Sequence, residues 1–558
     1  MPEGFPGKPQ MPPQILFLSG FLIGAFLFPL VYGTDLLQVT YDSWIFTLPD
    51  PDIKQHYLGF LHYAHSDWQF PPGLFDTLSY PHKMSIVWTD SIPGLCLIFK
   101  LLRSLLPKLF QFFGWFGLFS FALSGALSAL LVRRLTKDTF LSLLYVPVMV
   151  LSFPVLQRLY YHTSLAAHWV ILLALLIFFE EREWNLKRRC VVWGLMGALC
   201  VMIHSYFLPM TGIAMFTGEV VLHLLNHTPK RQILFPCAAF SAAGLLTLFL
   251  FGAFSVPVNH SGYAVGGFNA NLGTFVNSLG DGLLPPFENK YGTQYEGFAY
   301  LGTGMILAAL IAMILLFIRL ILRRMAGKTF RNICMEHIYA SACVVMILVY
   351  IIISVFPEAD LGTLTLIPDF TPLKIKVLAG VFRSNGRLIW PAYYLIILSS
   401  AAVVKRLLPR AGIFVLLAAC LLQLPDIYYF AAKKNAYFTE ERFFMNPLDQ
   451  IALNEVIGDY RHLVLVSGDN TLMMHAGDYA YQHGLTLNRF YFARDINGLV
   501  EDTLGEYKMK ELPREDCLFF FRDGAEEGWR DSGLHFYEFG MEGIVLGSDR
   551  VIPSLPEI

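Results

Sequence analysis

The sequence predicts a polytopic α-helical membrane protein, with about eleven transmembrane helices and a small C-terminal α/β domain outside the membrane. Two observations lead to this prediction. The chain is 55% hydrophobic and only 15% charged, whereas soluble domains carry about 25% charged residues. The apolar residues also gather in runs of about 17–25, which is the length that crosses a bilayer.

The predicted spans follow one another through the first three quarters of the chain. The first follows a proline-rich, nearly uncharged stretch, and no small-residue cleavage motif comes after it. We therefore expect a retained signal anchor rather than a cleaved signal peptide. In order, the spans are 15–33, 109–132, 139–156, 165–180, 190–205, 207–225, 233–254, 298–322, 334–356, 389–404 and 411–429.

Basic residues concentrate in alternate connectors, and this predicts the orientation. Such connectors stay in the cytoplasm, so we expect a multi-pass protein of the inner or plasma membrane with a cytoplasmic N-terminus. Loops 34–108, 255–297 and 357–388 and residues 430–558 then lie outside. The basic connectors hold Arg133, Arg134 and Lys137; Lys187, Arg188 and Arg189; Lys230 and Arg231; Arg323, Arg324, Lys328 and Arg331; and Lys405, Arg406 and Arg410.

The composition changes near residue 430, which divides the chain into a membrane domain, 1–429, and a terminal domain, 430–558. Short strand-like runs at 463–466 and 517–521 and a helix-like run at 473–483 predict a small α/β fold. The terminal domain has a single cysteine, so no disulfide forms within it. The net charge of −2 decides nothing about partners, but the sequence has no basic stripe or nucleic-acid motif, which argues against nucleic acid as a partner.

The loop 34–108 is rich in carboxylates and histidines. Asp52 precedes His56 by four residues, so the two share a face if the segment is helical. Asp90 lies at the far end of the loop, before residues 95–106, which suit an amphipathic helix in the membrane interface. Closure of the loop would bring both carboxylates together as a general base or as ligands for Mg²⁺ or Mn²⁺. The alternative is that they are turn and cap residues.

Three more histidines lie near the same outer face: His162, His168 and His204. Together with His56, they are predicted to line a polar, substrate-binding cavity, because polar residues at membrane depth face the protein interior. No pair of histidines four apart on one helix indicates a metal site. The alternative is a purely structural role in hydrogen bonding.

Arg383 and Arg387 are four apart at the outer edge of the tenth span, and Arg158 lies at the same level. Guanidinium groups at that depth could bind a lipid phosphate through bidentate hydrogen bonds. The alternative is snorkelling, or pairing with Glu358, Asp360 or Asp369. Loop 255–297 ends at Glu296, which we expect to contact substrate, and its asparagines are either sugar ligands or turn residues. These asparagines are Asn269, Asn271, Asn277 and Asn289.

The order of these parts resembles the C-type superfamily of membrane glycosyltransferases. The segments at 52–60, 68–73 (Trp-Gln-Phe-Pro-Pro-Gly), 89–93 (Thr-Asp-Ser-Ile-Pro) and 383–391 look like an uncharacterised bacterial family placed in that superfamily. The resemblance implies a polyprenyl-phosphate-linked sugar as donor and a glycan or lipid as acceptor. Asp52 would then be the base, Asp90 a supporting or metal-binding residue, and Arg387 a ligand of the donor phosphate.

The sequence leaves several alternatives open. No adjacent pair of acidic residues follows the first span, so Asp35 and Asp50 rival Asp52 as the base. An inverting glycosyltransferase is the preferred function, and the only cofactor that the sequence suggests is the divalent cation considered above. A secondary transporter or lipid flippase is one rival, although no internal repeat is evident. A non-catalytic envelope assembly protein is the other.

Overall fold

The computed structural model describes residues 11–258, 265–494, 496–540 and 543–558. Within these ranges, ten helices are long and apolar enough to cross a membrane. The prediction of a mostly helical protein with many helices that could cross a membrane is thus confirmed, and the count of about eleven candidate spans is corrected to ten in this part of the chain. These helices are Pro13–Tyr32, Phe113–Thr136, Thr139–Arg158, Thr163–Glu183, Phe207–Asn226, Arg231–Leu250, Thr303–Met325, Ile338–Val355, Asn385–Leu407 and Ala411–Phe438.

The α-helices are numbered in chain order. They are α1 Pro13–Tyr32, α2 Ser43–Thr47, α3 Asp52–His65, α4 Pro93–Leu101, α5 Phe113–Thr136, α6 Thr139–Val150, α7 Phe153–Arg158, α8 Trp169–Glu180, α9 Leu186–Ile203, α10 Phe207–Asn226, α11 Arg231–Leu250, α12 Thr303–Met325, α13 Phe330–Glu336, α14 Ile338–Val355, α15 Leu373–Ala379, α16 Trp390–Leu407, α17 Ala411–Phe438, α18 Ile451–Val456, α19 Asn470–His483 and α20 Asn497–Lys508.

Helix α9 is the predicted span that does not qualify. Its first turn carries Lys187, Arg188 and Arg189, so the helix is apolar enough but holds more charged residues than a spanning helix of its length. It nevertheless runs antiparallel to α10. Arg189 near its start contacts Glu219 near the end of α10 (3.1 Å), and His204 just after α9 lies against Tyr206, just before α10.

Helices α1 and α5 pack unusually closely because glycines face each other. A Cβ added to Gly20 would lie 2.5 Å from the carbonyl oxygen of Gly125, and one added to Gly125 would lie 2.2 Å from that of Gly20. Small residues let helix backbones approach in this way within membranes. The first helix is therefore fastened to the bundle and is not a detached anchor.

The basic connectors meet at one end of the bundle, which we call the basic end. Arg134 pairs with Glu180 (2.8 Å), and Lys405 pairs with Asp138 (3.0 Å). These pairs join the ends of α5, α8 and α16 to the start of α6. The opposite end, called the site end, carries the long loops and residues 439–558.

Loop 34–108, which we call the outer loop after its predicted orientation, is folded rather than extended. It contains α2, α3, a short antiparallel pair (β1 Leu74–Phe75 and β2 Met84–Ser85) and α4. The predicted amphipathic stretch forms α4 followed by a 3₁₀ turn at Arg103–Leu105. Leu101 and Leu105 are exposed, and this exposed apolar side suits a helix lying in the membrane interface.

A hairpin between α14 and α15 contains β3 Ala359–Leu361 and β4 Leu364–Ile367. The C-terminal region forms the predicted α/β fold. Its strands are β5 His462–Leu465, β6 Thr486–Leu487, β7 Cys517–Arg522, β8 His535–Glu538 and β9 Ile544–Ser548, in the order β6-β5-β7-β9-β8. Strand β5 is parallel to β6 and β7, whereas β9 is antiparallel to β7 and β8. The preceding helix, α17, continues to Phe438, past the predicted end of the last span at residue 429.

The outer loop extends the edge of this sheet. The amide of Leu487 in β6 donates to the carbonyl of Thr77 (2.9 Å), and the amide of Tyr80 donates to the carbonyl of Leu487 (2.9 Å). The ring of Tyr80 stacks on His462 at 3.9 Å between centroids. Backbone pairing at a sheet edge holds two segments in a fixed register, so the terminal domain is seated firmly on the loop that carries Asp52.

Candidate active site

A line of hydrogen-bonded side chains at the site end joins Asp52, His162 and Arg387. The Nδ1 atom of His162 lies 3.1 Å from Oδ2 of Asp52, and Nη2 of Arg387 lies 3.3 Å from Nε2 of His162. A guanidinium group can only donate, so Nε2 accepts and the proton resides on Nδ1. His162 therefore donates to Asp52 as a neutral imidazole.

The local structure explains why these three residues meet. Asp52 lies in the first turn of α3, where its backbone amide donates to the carboxylate of Asp50 (2.8 Å). His162 follows α7 in the short link to α8, and Arg387 lies in the 3₁₀ turn Asn385–Ile389 that leads into α16. Each residue is thus at the end of a helix and not in its middle.

Glu296 is the centre of a buried ion cluster. Its Oε2 atom lies 2.6 Å from Nε of Arg387 and 3.0 Å from Nη2 of Arg158. Its side chain is 4% exposed. Burial alone would raise the pKa of Glu296, but the two guanidinium groups outweigh burial and hold that pKa below its usual range. Two cations and one carboxylate leave this cluster with one net positive charge.

Asp52 has the electrostatics of a general base. Its side chain is 13% exposed. Burial, followed by the charges of Asp50 and Asp90, raises the pKa of Asp52 to about 7, against the lowering effects of Arg387 and a hydrogen bond from Tyr491. Burial, reinforced by Arg387, lowers the pKa of His162, which agrees with the neutral imidazole. A carboxylate that titrates near neutral pH suits proton transfer at that pH.

Asp90 forms a second pair, with His204. Nε2 of His204 lies 3.2 Å from Oδ1 of Asp90, and the amide of Tyr206 donates to Nδ1 of the same ring (3.2 Å). Burial would raise the pKa of Asp90, but the imidazole of His204 outweighs burial and holds that pKa below its usual range. The carboxylate ends a 3₁₀ turn at a positive φ of 54° and does not cap α4, so the interpretation as a helix N-cap is wrong.

His56 lies between the two pairs. Its ring centroid is 6.4 Å from that of His162, and the hydroxyl of Ser91 donates to its backbone carbonyl (2.6 Å). The far end of the loop thus lies against α3, with Asp52 and Asp90 in separate pairs. Burial lowers the pKa of His56 to about 4, and neither ring nitrogen has a hydrogen-bond partner among the described residues.

A cavity of about 420 Å³ opens beside the cluster. Its wall includes Arg158 of the ion cluster, His162 of the hydrogen-bonded line and Asp50, which precedes Asp52 by two residues. Arg158 and Gln157 each leave one buried polar atom, Nε and Oε1, without a hydrogen-bond partner among the described residues. The wall mixes cations, carboxylates and aromatic rings, a surface that suits a polar ligand carrying negative charge. The remaining lining residues are Tyr161, Asp281, Tyr295, Phe430, Lys433, Lys434, Tyr437 and Phe438.

Two predicted site residues make contacts outside the Glu296 cluster. Nδ1 of His168 is 2.9 Å from the hydroxyl of Tyr394, and its ring packs on Trp390, so it belongs to the helix core. The guanidinium of Arg383 lies over the ring of Phe268 at 5.2 Å, and its charge acts on Tyr491, the neighbour of Asp52.

The alternative pairings considered for the arginines are wrong. Glu358 and Asp360 lie 2.7 and 3.6 Å from Lys290, and Asp369 lies 2.7 Å from Lys376. Arg387 and Arg158 instead share Glu296, a residue that the sequence suggested only as a substrate contact. Both guanidinium groups contact the same carboxylate oxygen of Glu296. Its contact with substrate stays a prediction.

The asparagines of loop 255–297 have structural roles. Asn269 donates to the carbonyls of Val355 and Glu358 (both 3.0 Å). Asn271 donates to the carbonyl of Gly362 (2.8 Å), and Asn277 donates to that of Phe287 (2.8 Å). The turn and loop interpretation explains them, and the amides of Asn269, Asn271 and Asn277 need no sugar ligand.

Sequence reasoning missed Lys434 and Tyr491. Lys434 is 9% exposed, and its ammonium lies over the rings of Tyr161 (4.5 Å) and Phe430 (5.5 Å). Tyr491 reaches Asp52 from the terminal domain. A lysine within an apolar run could have indicated the first residue. No local signal marks the second, because its partner lies more than four hundred positions away.

The three carboxylates considered as the base lie at different places in the structure. Asp35 is exposed in a 3₁₀ turn, whereas Asp50 lines the cavity and Asp52 faces His162. Among the described residues, no group of three histidine, cysteine or acidic side chains is arranged to hold a metal ion. A divalent cation at this site stays a prediction.

A second buried cluster lies at the basic end. Arg189 contacts Glu219 at 3.1 Å, and the indole of Trp193 donates to Glu181 (2.8 Å). A Cβ on Gly218 would lie 1.9 Å from Oε1 of Glu181, so the glycine makes room for this carboxylate. These contacts tie α8, α9 and α10 together.

Comparisons with known proteins give two family matches. Residues 21–428 match Domain of unknown function (DUF6311), and residues 452–548 match the DUF6311 C-terminal domain. No curated protein matches the chain. The first match includes Asp52, His162, Glu296 and Arg387, and the second includes Tyr491. Neither match includes the cavity residues Phe430, Lys433, Lys434, Tyr437 and Phe438.

Proposed function

This chain belongs to the DUF6311 family, and we propose that it is an inverting integral-membrane glycosyltransferase. It moves a sugar from a polyprenyl-phosphate donor to a hydroxyl of a glycan or lipid acceptor. The observation that carries the proposal is the line Asp52–His162–Arg387 beside the cavity. It puts a carboxylate that titrates near neutral pH next to guanidinium groups suited to a phosphate.

The proposed reaction uses Asp52 as the base. The acceptor oxygen forms a bond to the anomeric carbon while the bond from that carbon to the phosphate oxygen breaks. The acceptor proton passes to Asp52, and the polyprenyl phosphate leaves with the electron pair of the broken bond. The neutral His162, held by Arg387, keeps the carboxylate oriented during this transfer.

The leaving phosphate gains negative charge and needs fixed cations. Arg158 and Arg387 carry two positive charges against the single charge of Glu296, so one positive charge is uncompensated. Lys434 adds another on the cavity wall, and no ion pair joins it to a carboxylate among the described residues. An ionised Asp90 beside His204 would strengthen Asp52 as a base, because its charge raises the pKa of Asp52.

The proposal includes an orientation. The basic connectors lie in the cytoplasm by the charge rule for short loops, so the site end and the terminal domain face outward. A lipid-linked donor is anchored by its tail, and its phosphate must therefore meet the protein near the membrane surface. The location of the cluster at helix ends supports this depth. A transporter would be expected to hold its ligand near the midplane.

Donor turnover by the purified protein tests the function. Detergent-solubilised protein would be incubated with polyprenyl-phosphate-linked hexoses and pentoses, tritiated in the sugar, together with a membrane glycolipid extract as acceptor. We expect release of polyprenyl phosphate, and a loss of roughly 10²–10⁴-fold in Asp52→Asn, which is typical for removal of a general base.

Asp35→Asn is the matched control, because Asp35 is an exposed carboxylate of the same outer loop. It should keep the wild-type rate. A folded Asp52→Asn protein with unchanged turnover would remove Asp52 from the mechanism. No turnover of any donor by the wild-type protein would count against the transferase itself.

A further inference from the structure

The segment between α14 and α16, residues 359–381, exposes a large apolar surface. It consists of a hairpin (β3 Ala359–Leu361 and β4 Leu364–Ile367) followed by α15. Ten of its large apolar side chains are exposed, with Phe370 at 84%. Monomeric soluble surfaces rarely carry contiguous patches of this kind.

Hydrogen bonds to the rest of the loop region hold this exposed segment in a fixed position. The amide of Lys290 donates to the carbonyl of Gly362 (3.1 Å), and the amide of Gly362 donates to the side chain of Asn271 (2.9 Å). The amide of Val265 donates to the carbonyl of Lys376 (3.0 Å). Asp360 is fully buried on the inner side. The segment therefore presents its apolar side outward on a fixed base.

The position of the segment identifies what covers it. It begins after Val355 and ends before Asn385, where two candidate membrane-spanning helices reach the site end. Its apolar residues alternate in α15 with Lys374 and with Lys376, whose ammonium pairs with Asp369 (2.7 Å). Apolar side chains interleaved with lysines are typical of elements that lie in the membrane interface, where the cations meet lipid phosphates.

We propose that residues 359–381 form a membrane-contact element, and that its occupants are the acyl chains of phospholipids in the leaflet adjoining the site end. The segment continues directly into Arg383 and Arg387. A molecule anchored in that leaflet by a lipid tail would pass along this surface to reach the cavity. The proposal depends on the chain lying in a membrane and does not require the transferase activity.

Photocrosslinking tests the membrane contact. p-Benzoylphenylalanine would replace Phe370 in the full-length protein, reconstituted in nanodiscs of phosphatidylethanolamine and phosphatidylglycerol. The matched control is the same group at Met509, which is 71% exposed in the terminal domain. We expect phospholipid adducts at position 370, in a yield at least about tenfold above the control if the segment lies in the interface.

A second photoreactive position, Leu378, guards against a local folding defect at Phe370. Lipid adducts at neither position, in protein that elutes as a single folded species, would overturn the proposal. Crosslinking of both positions to another protein in native membranes would also overturn it, because the surface would then be a protein interface.

A separate part of the terminal domain reaches Asp52. Residues 488–494 leave β6 and run toward α3. The carbonyl of Trp88 accepts from the amide of Ala493 (2.8 Å) and from the side chain of Gln55 (3.1 Å), which lies on α3. The guanidinium of the buried Arg494 donates to the carbonyl of Gly380 (2.8 Å).

These anchors hold Tyr491 at the cluster, where its hydroxyl faces the carboxylate of Asp52. We infer that Tyr491 is a positioning residue for Asp52, so that the terminal domain completes the candidate active site. It is then not an independent binding module. As a role in catalysis this inference rests on the proposed function, but the contact itself can be tested without it.

The charged and titratable groups around this carboxylate are Asp50, Asp90, Arg387, His162 and Tyr491, and the charge of Arg383 acts on Tyr491. Removing the tyrosine hydroxyl leaves the other groups in place. The hydroxyl favours the ionised form of Asp52 and lowers the pKa of that carboxyl. Its loss should therefore move the titration of Asp52 upward.

Carbodiimide labelling measures this shift without substrate. Dicyclohexylcarbodiimide modifies protonated buried carboxyls, and mass spectrometry would report the extent at Asp52 between pH 5 and 9. We expect Tyr491→Phe to raise the midpoint by roughly 0.5–1 pH unit, the scale of one lost hydrogen bond to a carboxylate. Tyr479→Phe removes a hydroxyl of the same domain that donates to Asn454 and should leave the midpoint unchanged.

An unchanged midpoint in folded Tyr491→Phe would overturn the inference. A shift in the midpoint without any donor turnover by the wild-type protein would keep the positioning contact and remove the transferase. The failure of the positioning contact and the failure of the proposed transferase activity can therefore be distinguished.

Discussion

At the scale of single residues, the protonation of Asp52 decides whether the site can act as a base. Burial and the charges of Asp50 and Asp90 raise its pKa to about 7. Only the deprotonated form can accept a proton, so its fraction falls as the pH drops below that value. The same raised pKa means that ionising Asp52 opposes folding as pH rises between its ordinary pKa and about 7.

We therefore expect donor turnover to fall by about tenfold per pH unit below pH 7 and to level off above it. Initial rates between pH 5 and 8.5, at saturating donor, would measure this profile. A rate that stays flat down to pH 5 would show that no group with the titration of Asp52 limits the reaction.

The arginine at the start of α16 provides a second residue-scale prediction. Arg387→Lys keeps the positive charge but loses the fork that contacts Glu296 and His162 together. Donor KM should rise by about tenfold or more, the scale of one charge-assisted hydrogen bond. Arg188→Lys, at the basic end over Trp184, is the control. Equal KM values for the two variants would move the donor phosphate away from Arg387.

At the scale of elements, Glu296 joins three pieces of chain. It ends the loop before α12, and its carboxylate holds Arg158 of α7 and Arg387 of the turn before α16. Removing one partner of a buried ion group leaves uncompensated charge. The site is therefore built on an ionic junction between helices, and its geometry depends on that junction.

Glu296→Gln should lower the free energy of unfolding by roughly 3–5 kcal/mol, because two buried guanidinium groups lose their counter-charge. Thermal unfolding in detergent would measure the change. Glu288→Gln, at an exposed carboxylate of the same loop, should unfold at the same temperature as the wild type. A Glu296→Gln protein as stable as that control would mean that other groups neutralise the arginines.

The sequence predicted most elements because their signals are local. Apolar runs marked the spans, and the alternation of strand-like and helix-like runs marked the terminal fold. Helix α9 was counted as a span because residues 190–205 are apolar, yet three basic residues fill its first turn. Asp52 and Asp90 could be selected from their loop, but Glu296 as the shared counter-ion and Tyr491 as a neighbour depend on long-range packing.

At the scale of the whole molecule, basic connectors and functional clusters lie at opposite ends of one bundle. The pairs Arg134–Glu180 and Lys405–Asp138 mark the basic end, and the Glu296 cluster marks the site end. The charge rule then predicts which end faces the cytoplasm. The terminal domain, seated on the outer loop, follows the site end.

Labelling of intact cells with a membrane-impermeant maleimide tests this orientation. Met509→Cys is on the exposed surface of the terminal domain and Glu183→Cys is on an exposed turn at the basic end. We expect reaction at position 509 in intact cells and at position 183 only after permeabilisation. The reverse pattern would invert the molecule and put the cluster in the cytoplasm.

The most direct test of the central claim is to locate a bound polyprenyl phosphate. Wild-type protein in nanodiscs, with polyprenyl phosphate added, would be imaged by electron cryomicroscopy. We predict the phosphate in the cavity beside Asp52, within hydrogen-bond distance of Arg387, Arg158 or Lys434. A phosphate bound instead at the basic end near Arg189 and Glu219, or near the middle of the bundle, would contradict the account.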